Sequence, residues 1–283
     1  MGTVQKMDVS GCKVIQFSLR ITELCNRDCS YCHYHSNIDY NKKDIMKIID
    51  QCVSYAKEKN RTPLFYFHGG EPTLSKYLID YLKYIKYLNS NSIIELQTNF
   101  DNPDLIISSL DYIDLLNISF HFEITNNKII TYKDKLKYFK NKKLLIKLNY
   151  IDLMVIKNNI KDIIFLRKYF NLLNIRTEIT YNYFQSDSFE NLVKSKIKLT
   201  KQEIEKNKYF AGEITVPDNY LCDTSYYIII NGNGDLFKCS YSLTQNAPTG
   251  NILNGDNLKD TMKKSLCEFK TCGYELSYLQ DFI

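Results

Sequence analysis

The stretch VIQFSLRITELCNRDCSYC, residues 14–32, joins two signals. Val14 to Arg20 is a short apolar, β-branched run of the kind that forms a buried strand. Five residues later come three cysteines, Cys25, Cys29 and Cys32, in a C-x3-C-x2-C spacing. Three thiolates leave a tetrahedral metal one ligand short, or leave one iron of a four-iron four-sulfur cluster open to a further ligand. In the zinc reading His33 or His35 completes the set; in the iron–sulfur reading the open iron takes a small molecule. Spacing alone does not choose between them.

Downstream of residue 14 the strand signal recurs. The predicted strands are 14–20, 64–68, 93–98, 115–122, 144–151 and 175–183, separated by helical periodicity over roughly 42–59, 74–88, 103–111, 131–141 and 158–172. Strands alternating with helices predict βαβ units and a parallel sheet. Six such units make an open or partial barrel, since closure takes eight. In these sheets chemistry gathers where strands end and loops begin. The three cysteines follow the first strand and therefore stand on that edge.

The second strand ends in FHGGEPTLS, where Gly69 and Gly70 precede Glu71 and Pro72. Paired glycines permit a close backbone approach, and exposed peptide groups beside a carboxylate suit a charged amino group. A tight strand-to-helix turn explains the same residues without a ligand.

In 283 residues, 44% hydrophobic and 13% aromatic, there is material for one sizeable core and a small second unit. The net charge of +5 is scattered along the chain, which argues against a nucleic-acid partner. Neither a signal peptide nor a long apolar span is visible, so a soluble cytoplasmic protein with no membrane association is expected. In a reducing compartment, nine cysteines point to metal or catalysis before disulfides. Cys52 falls inside the first helix and is expected in the core, and Cys12 matches no motif.

Residues 185–214 are polar and read as a connector with one helical stretch. Beyond them, YYIIINGNGDLFKCSYS places two apolar runs around Asn-Gly-Asn-Gly, a hairpin signal. Cys222, Cys239, Cys267 and Cys272 bracket this hairpin and suggest a small unit held by metal, zinc or iron–sulfur. The expected organisation is an N-terminal extension (1–13), a barrel core (14–184), the connector and a C-terminal unit (215–283).

Cys25, Cys29 and Cys32, with the aromatic Tyr31 and a Gly69-Gly70-Glu71-Pro72 turn one β/α unit later, resemble the radical S-adenosylmethionine superfamily over about residues 14–184. The resemblance implies an α/β fold, a partial (β/α)6 TIM-like barrel, whose three cysteines hold a four-iron four-sulfur cluster. The amino and carboxylate groups of S-adenosylmethionine chelate the fourth iron. It further implies that Gly69 to Pro72 hold the methionine amino group and that Tyr31 meets the adenine through its backbone. Thr98, Asn99, Ser119, His121 and Asn149 stand where the family places polar contacts to the cofactor. Phe100 replaces the usual small residue after the Thr-Asn pair, and His121 replaces an acidic one. The implied chemistry is reductive cleavage to methionine and a 5'-deoxyadenosyl radical that abstracts hydrogen from an unactivated carbon.

The Cys222, hairpin, Gly-x4-Cys239 pattern followed by Gly250 to Ile252 looks like the start of a SPASM or twitch domain. The twitch form, with one auxiliary four-iron four-sulfur cluster, suits the four cysteines better, and the loose Cys267-x4-Cys272 spacing puts the fourth ligand in doubt. The expected enzyme oxidises or rearranges a small molecule in natural-product or cofactor assembly, drawing electrons from a donor such as flavodoxin or ferredoxin. Candidate catalytic residues are Glu123, Tyr183 and Cys272, with Asn149 and Tyr181 as further strand-end candidates. Modification or epimerisation of a ribosomal peptide is the alternative within the family. A non-catalytic zinc-binding interaction protein is the alternative outside it.

Overall fold

The computed structural model describes residues 13–29, 32, 36–121, 131–156, 158–181, 187–210, 221–222, 225–262 and 265–266. The elements are β1 (Val14–Arg20), α1 (Lys42–Glu58), β2 (Thr62–His68), α2 (Leu78–Leu88), β3 (Ile93–Thr98), α3 (Pro103–Ser109), β4 (Leu115–Phe120), α4 (Tyr132–Leu136), α5 (Lys142–Lys147), β5 (Leu148–Val155), α6 (Ile160–Leu172), β6 (Thr177–Tyr181), α7 (Asp187–Lys196) and α8 (Lys201–Phe210). They continue as β7 (Leu221–Cys222), β8 (Tyr227–Asn231), β9 (Asp235–Phe237), α9 (Ser240–Thr244), β10 (Gly250–Asn251), α10 (Leu258–Thr261) and β11 (Ser265–Leu266).

β1 to β6 lie side by side in chain order and pair in parallel, which is the expected α/β partial barrel. All seven residues of β1 are buried, because neighbours flank it on both edges and packing covers both faces. Its alternation divides two environments. Ile15, Phe17 and Leu19 join the apolar core with Ile45, Ile48, Ile49 and Cys52 of α1. Gln16, Ser18 and Arg20 take the other face. That polar face continues around the barrel through Glu95 and Asn117, where a closed barrel would stack Val, Ile and Leu. The interior is thereby suited to a polar ligand at its mouth.

The sheet also extends on the other side of β1. β8 pairs with it in parallel, Gln16 opposite Tyr227 through Arg20 opposite Asn231, and β9 returns antiparallel. The hairpin expected at Asn231 to Gly234 forms, with Gly234 at φ +91°. Its strands belong to the main sheet, a nonlocal pairing that strand patterning does not reveal.

Among the boundaries that move, two change the type of element. Residues 144–147 form the end of α5 rather than the start of a strand, because Asn141 Oδ1 accepts from the backbone N–H of Lys143 and Leu144 and starts a helix there. The predicted helix at 74–88 is a 3-10 turn, Pro72–Leu74, followed by α2.

The segment read as a connector holds two helices, and α8 covers the open edge of β6. The Ile179 N–H donates to Glu203 Oε1 (2.9 Å) and the Tyr181 N–H to Asn207 Oδ1 (3.0 Å), while Asn207 Nδ2 donates to the Ile179 carbonyl (2.9 Å). Side chains of a helix thus supply the ladder partners that a seventh strand would bring. Thr200 and Glu203 form a reciprocal capping box that starts α8 where its Glu203 is needed.

Candidate active site

The loops after β1, β2, β3 and β4 and the inner face of β5 border one cavity of about 310 Å³. From the first loop come Cys25, Arg27, Cys29 and Cys32; from the end of β2 and its loop, His68, Gly69, Gly70 and Glu71; from the end of β3 and its loop, Thr98 and Asn99; from the fourth loop, His121. Tyr66, Gln97, Ser119, Tyr150 and Asp152 complete it from the strands.

The cysteine loop turns tightly, with the Cys32 N–H donating to the Cys29 carbonyl at 2.9 Å. The Arg27 N–H donates to Cys25 Sγ at 3.4 Å. Burial pushes the Cys25 thiol up, and that N–H pulls the other way. Among the described residues no group of three His, Cys, Asp or Glu side chains closes on a single metal-ion position. The three thiols border one shared volume, and thiolates are the donor type that an iron–sulfur cluster takes.

The glycine pair serves the loop first. The Gly70 N–H donates to the Thr22 carbonyl (3.1 Å) and the Glu71 N–H to the Leu24 carbonyl (2.6 Å), docking the turn on the stem that leads to Cys25. A Cβ on Gly70 would stand 2.2 Å from the Leu24 carbonyl oxygen, and Gly69 has φ +127°.

Glu71 faces inward. Its Oε1 accepts from the Thr73 N–H (3.1 Å), Thr73 Oγ1 (2.7 Å) and Thr98 Oγ1 (2.7 Å), and its Oε2 from the Asn99 N–H (2.7 Å). Burial pushes its carboxyl up against the pull of these donors. Glu71 therefore braces Thr98 and Asn99 while touching the cavity wall.

A buried ionic cluster lies beneath the cysteine loop. Arg27 makes a fork to Asp101, Nε to Oδ2 (2.7 Å) and Nη2 to Oδ1 (2.8 Å), and donates through Nη1 to the His121 carbonyl (2.8 Å). Lys135 of α4 reaches Asp101 Oδ1 and the Asn99 carbonyl, both at 2.6 Å. Asn26 Nδ2 donates to Asp101 Oδ2 (3.0 Å), and Asn99 Nδ2 donates to Asn26 Oδ1 (2.7 Å). Burial alone would raise the Asp101 carboxyl, but Arg27 and Lys135 hold it below its ordinary range.

Both histidines of the cavity are neutral near physiological pH. Burial and the neighbouring Arg20 depress His68 to about 3; burial with Arg27 and Lys135 does the same to His121. His68 shares a 2.7 Å hydrogen bond with Ser18 Oγ and stacks on Tyr66.

Phe100 stands in the left-handed region at φ +59°, where a residue without Cβ is favoured. Its fully buried ring packs on Tyr138 and Phe139. Phe100→Ala is expected to lose about 3–5 kcal/mol of packing while keeping the backbone strain. Phe100→Gly relieves that strain and should be the more stable of the two by about 1 kcal/mol, reversing the ordinary order. Urea unfolding of both variants checks this; an alanine variant at least as stable as the glycine one refutes it.

Of the residues expected at the site, Cys25, Cys29, Cys32, Gly69, Gly70, Glu71, Thr98, Asn99, Ser119 and His121 line the cavity. Pro72 is buried in the 3-10 turn behind it. Asn149 is not among the lining residues, and its neighbours Tyr150 and Asp152 are. The cause is local: β5 starts at Leu148, and its register with β4 shifts between Leu116 and Asn117, passing over Asn149. Tyr31, Glu123, Tyr183, Cys267 and Cys272 lie outside the described residues. Tyr66, Gln97 and Asp152 were missed, although polar residues two positions before His68 and Asn99 carried the signal.

Comparison with known proteins places the fold. The structure of native anSMEcpe with bound AdoMet and Cp18Cys peptide superposes with TM-score 0.59 at 16% identity, covering 95% of this chain and 82% of that one. SuiB of Streptococcus suis bound to S-adenosylmethionine gives 0.58 at 16% identity, covering 91% and 68%. BtrN in complex with AdoMet and 2-DOIA gives 0.47 at 14% identity, covering 88% and 81%. For the first two, at such identities, the likeness is one of fold. No curated protein sequence matches the chain. The family model of the Radical SAM superfamily does match, over residues 19–146, and so the segment from β1 into α5, with the three cysteines and the Gly69–Pro72 turn, is similar to that superfamily.

Proposed function

We propose that the chain is a radical S-adenosylmethionine enzyme whose Cys25, Cys29 and Cys32 hold a four-iron four-sulfur cluster. The observation that carries this reading is the convergence of the three thiols and the Gly69-Gly70 turn on one cavity at the strand ends. When bound, the cluster supplies one electron that cleaves S-adenosylmethionine to methionine and a 5'-deoxyadenosyl radical. The chain's own residues hold and orient. Gly69 and Gly70 bring peptide groups to the methionine end, Thr98, Asn99 and Ser119 offer hydrogen bonds beside them, and neutral His121 neither adds charge nor gives up a proton near pH 7.

The substrate is proposed to be a small polar molecule, with modification of a ribosomal peptide as the second reading. Support comes from the wall facing the cysteine loop. Gln97 Oε1 accepts from Tyr66 (3.4 Å) and Tyr150 (3.5 Å), Gln97 Nε2 donates to Ser119, and Asp152 accepts from Thr180 (2.7 Å). Such a wall recognises hydroxyl or amine groups. An auxiliary cluster on Cys222, Cys239, Cys267 and Cys272 belongs to the same proposal. The β7–β11 ladder sets Cys222 opposite Ser265, two positions before Cys267 in sequence. A flavodoxin or ferredoxin is the proposed electron donor.

Anaerobically reconstituted protein is expected to be brown, to hold roughly eight irons, four per cluster, and to form 5'-deoxyadenosine from S-adenosylmethionine under dithionite. The Cys25→Ala/Cys29→Ala/Cys32→Ala variant should lose about half the iron and all of the 5'-deoxyadenosine. Colourless protein carrying only zinc, or iron-loaded protein that forms no 5'-deoxyadenosine, rejects the reading.

A further inference from the structure

The buried cluster beneath the cysteine loop has more charge than a purely structural tie needs. The side chains of Arg27, Asp101 and Lys135 are 3%, 4% and 1% exposed, and burying ions costs several kcal/mol each before their attraction is counted. Two cations share one carboxylate. Of the three, Arg27 lines the cavity with the thiols, and its own N–H donates to Cys25 Sγ. Lys135 sits one step back, over the Phe120 ring at 5.6 Å. Among the described residues, the cavity is also lined by Glu71, turned to its four donors, by His121, whose carbonyl accepts from Arg27, and by His68 and Asp152, while Asp28 stands exposed between Arg27 and Cys29.

We propose that Arg27, aimed by Asp101 and supplemented by Lys135, sets the reduction potential of the metal cluster held by Cys25, Cys29 and Cys32. The inference rests on the radical-generating reading of the cavity. Taking up an electron makes the cluster more negative by one charge, so a fixed cation beside it favours the reduced form and a fixed anion disfavours it. A charge within ~4–6 Å moves a proton equilibrium by ~1–3 units. An electron equilibrium at the same place responds to the same field, here moderated by Asp101. Arg27 and Asp101 are thus positioning and electrostatic residues with opposite signs. A structural tie predicts no such opposition, since cutting either end loosens the same loop.

The test is a redox titration followed by electron paramagnetic resonance on the reconstituted full chain, at matched iron content. Arg27→Gln is expected to lower the midpoint potential, by an amount equal to about a tenfold change in the oxidised-to-reduced ratio at fixed poise, which is 59 mV for one electron. Lys135→Gln should lower it less. Asp101→Asn should raise it. Arg27→Lys keeps the charge but loses the fork, and should hold the wild-type potential while unfolding at lower denaturant. Shifts of Arg27→Gln and Asp101→Asn in the same direction overturn the inference, as does an Arg27→Lys potential that falls with that of Arg27→Gln. Should Asp101→Asn fail to fold, Lys135→Gln decides, because it leaves the cysteine loop's own contacts to Asp101 intact: an unchanged potential there overturns the inference. Wild-type protein that binds no iron fails the underlying reading instead, and the iron count separates the two failures.

Discussion

Glu71→Ala is expected to destabilise the protein by about 3–5 kcal/mol, among the largest effects of any single substitution outside the apolar core. The side chain is 1% exposed and satisfies two backbone N–H groups and two threonine hydroxyls. Each buried donor left without a partner costs about 1–3 kcal/mol, and the hydroxyls can partly escape by rotating. Glu71→Gln should cost less, about 2 kcal/mol, because the amide keeps one oxygen but presents an N–H to a donor on the other side. If the carboxylate instead served mainly to hold the amino group of S-adenosylmethionine, Glu71→Gln would fold with wild-type stability and lose only ligand affinity. Urea unfolding beside calorimetric titration with S-adenosylmethionine separates the cases. On the geometry described, stability falls first; under the proposed function, affinity then follows because Thr98 and Asn99 lose their brace.

This inward use of Glu71 marks the boundary of what the sequence discloses. The cysteine spacing, the strand before it and the glycine turn after β2 are local features, each written within about ten residues, and they located one edge of the cavity. β1 and β3 begin and end where patterning put them, since each is an apolar run broken by turn residues or charge. The ionic cluster was not legible. Arg27 and Asp101 are 74 positions apart, and nothing in NRD or NFD announces a fork between them. The pairing of β8 with β1 was hidden for the same reason. At β5 the failure was different: LLIKLNYI satisfies a strand pattern, but Asn141 caps a helix first, and four residues of strand are lost from the front and gained at the end. That shift exchanged Asn149 for Tyr150 and Asp152 in the cavity wall.

Glu95 gives the second large effect. It lies on the polar inner face of β3, two positions before Gln97, and Asn117 Nδ2 of β4 donates to its Oε1. Burial lifts its pKa from 4.5 to about 7, and the Asn117 contact only partly offsets this. The sign follows from linkage. Below pH 4.5 the carboxyl is protonated in both the folded and the unfolded chain, so the penalty is absent. As the pH rises from 4.5 to 7 the unfolded chain ionises while the folded one stays protonated, and stability falls. A displacement of that size amounts to about 3 kcal/mol above pH 7, at ~1.36 kcal/mol per unit. Glu95→Gln has no carboxyl to ionise and keeps an acceptor for Asn117. It should match the wild type near pH 4 and exceed it by up to about 3 kcal/mol at pH 8. Urea denaturation of both proteins at intervals between those values measures the difference directly, with the other titrating groups cancelling. Parallel stability curves would show that Glu95 ionises at its ordinary pH and that the inner face of the barrel is wetter than its burial implies.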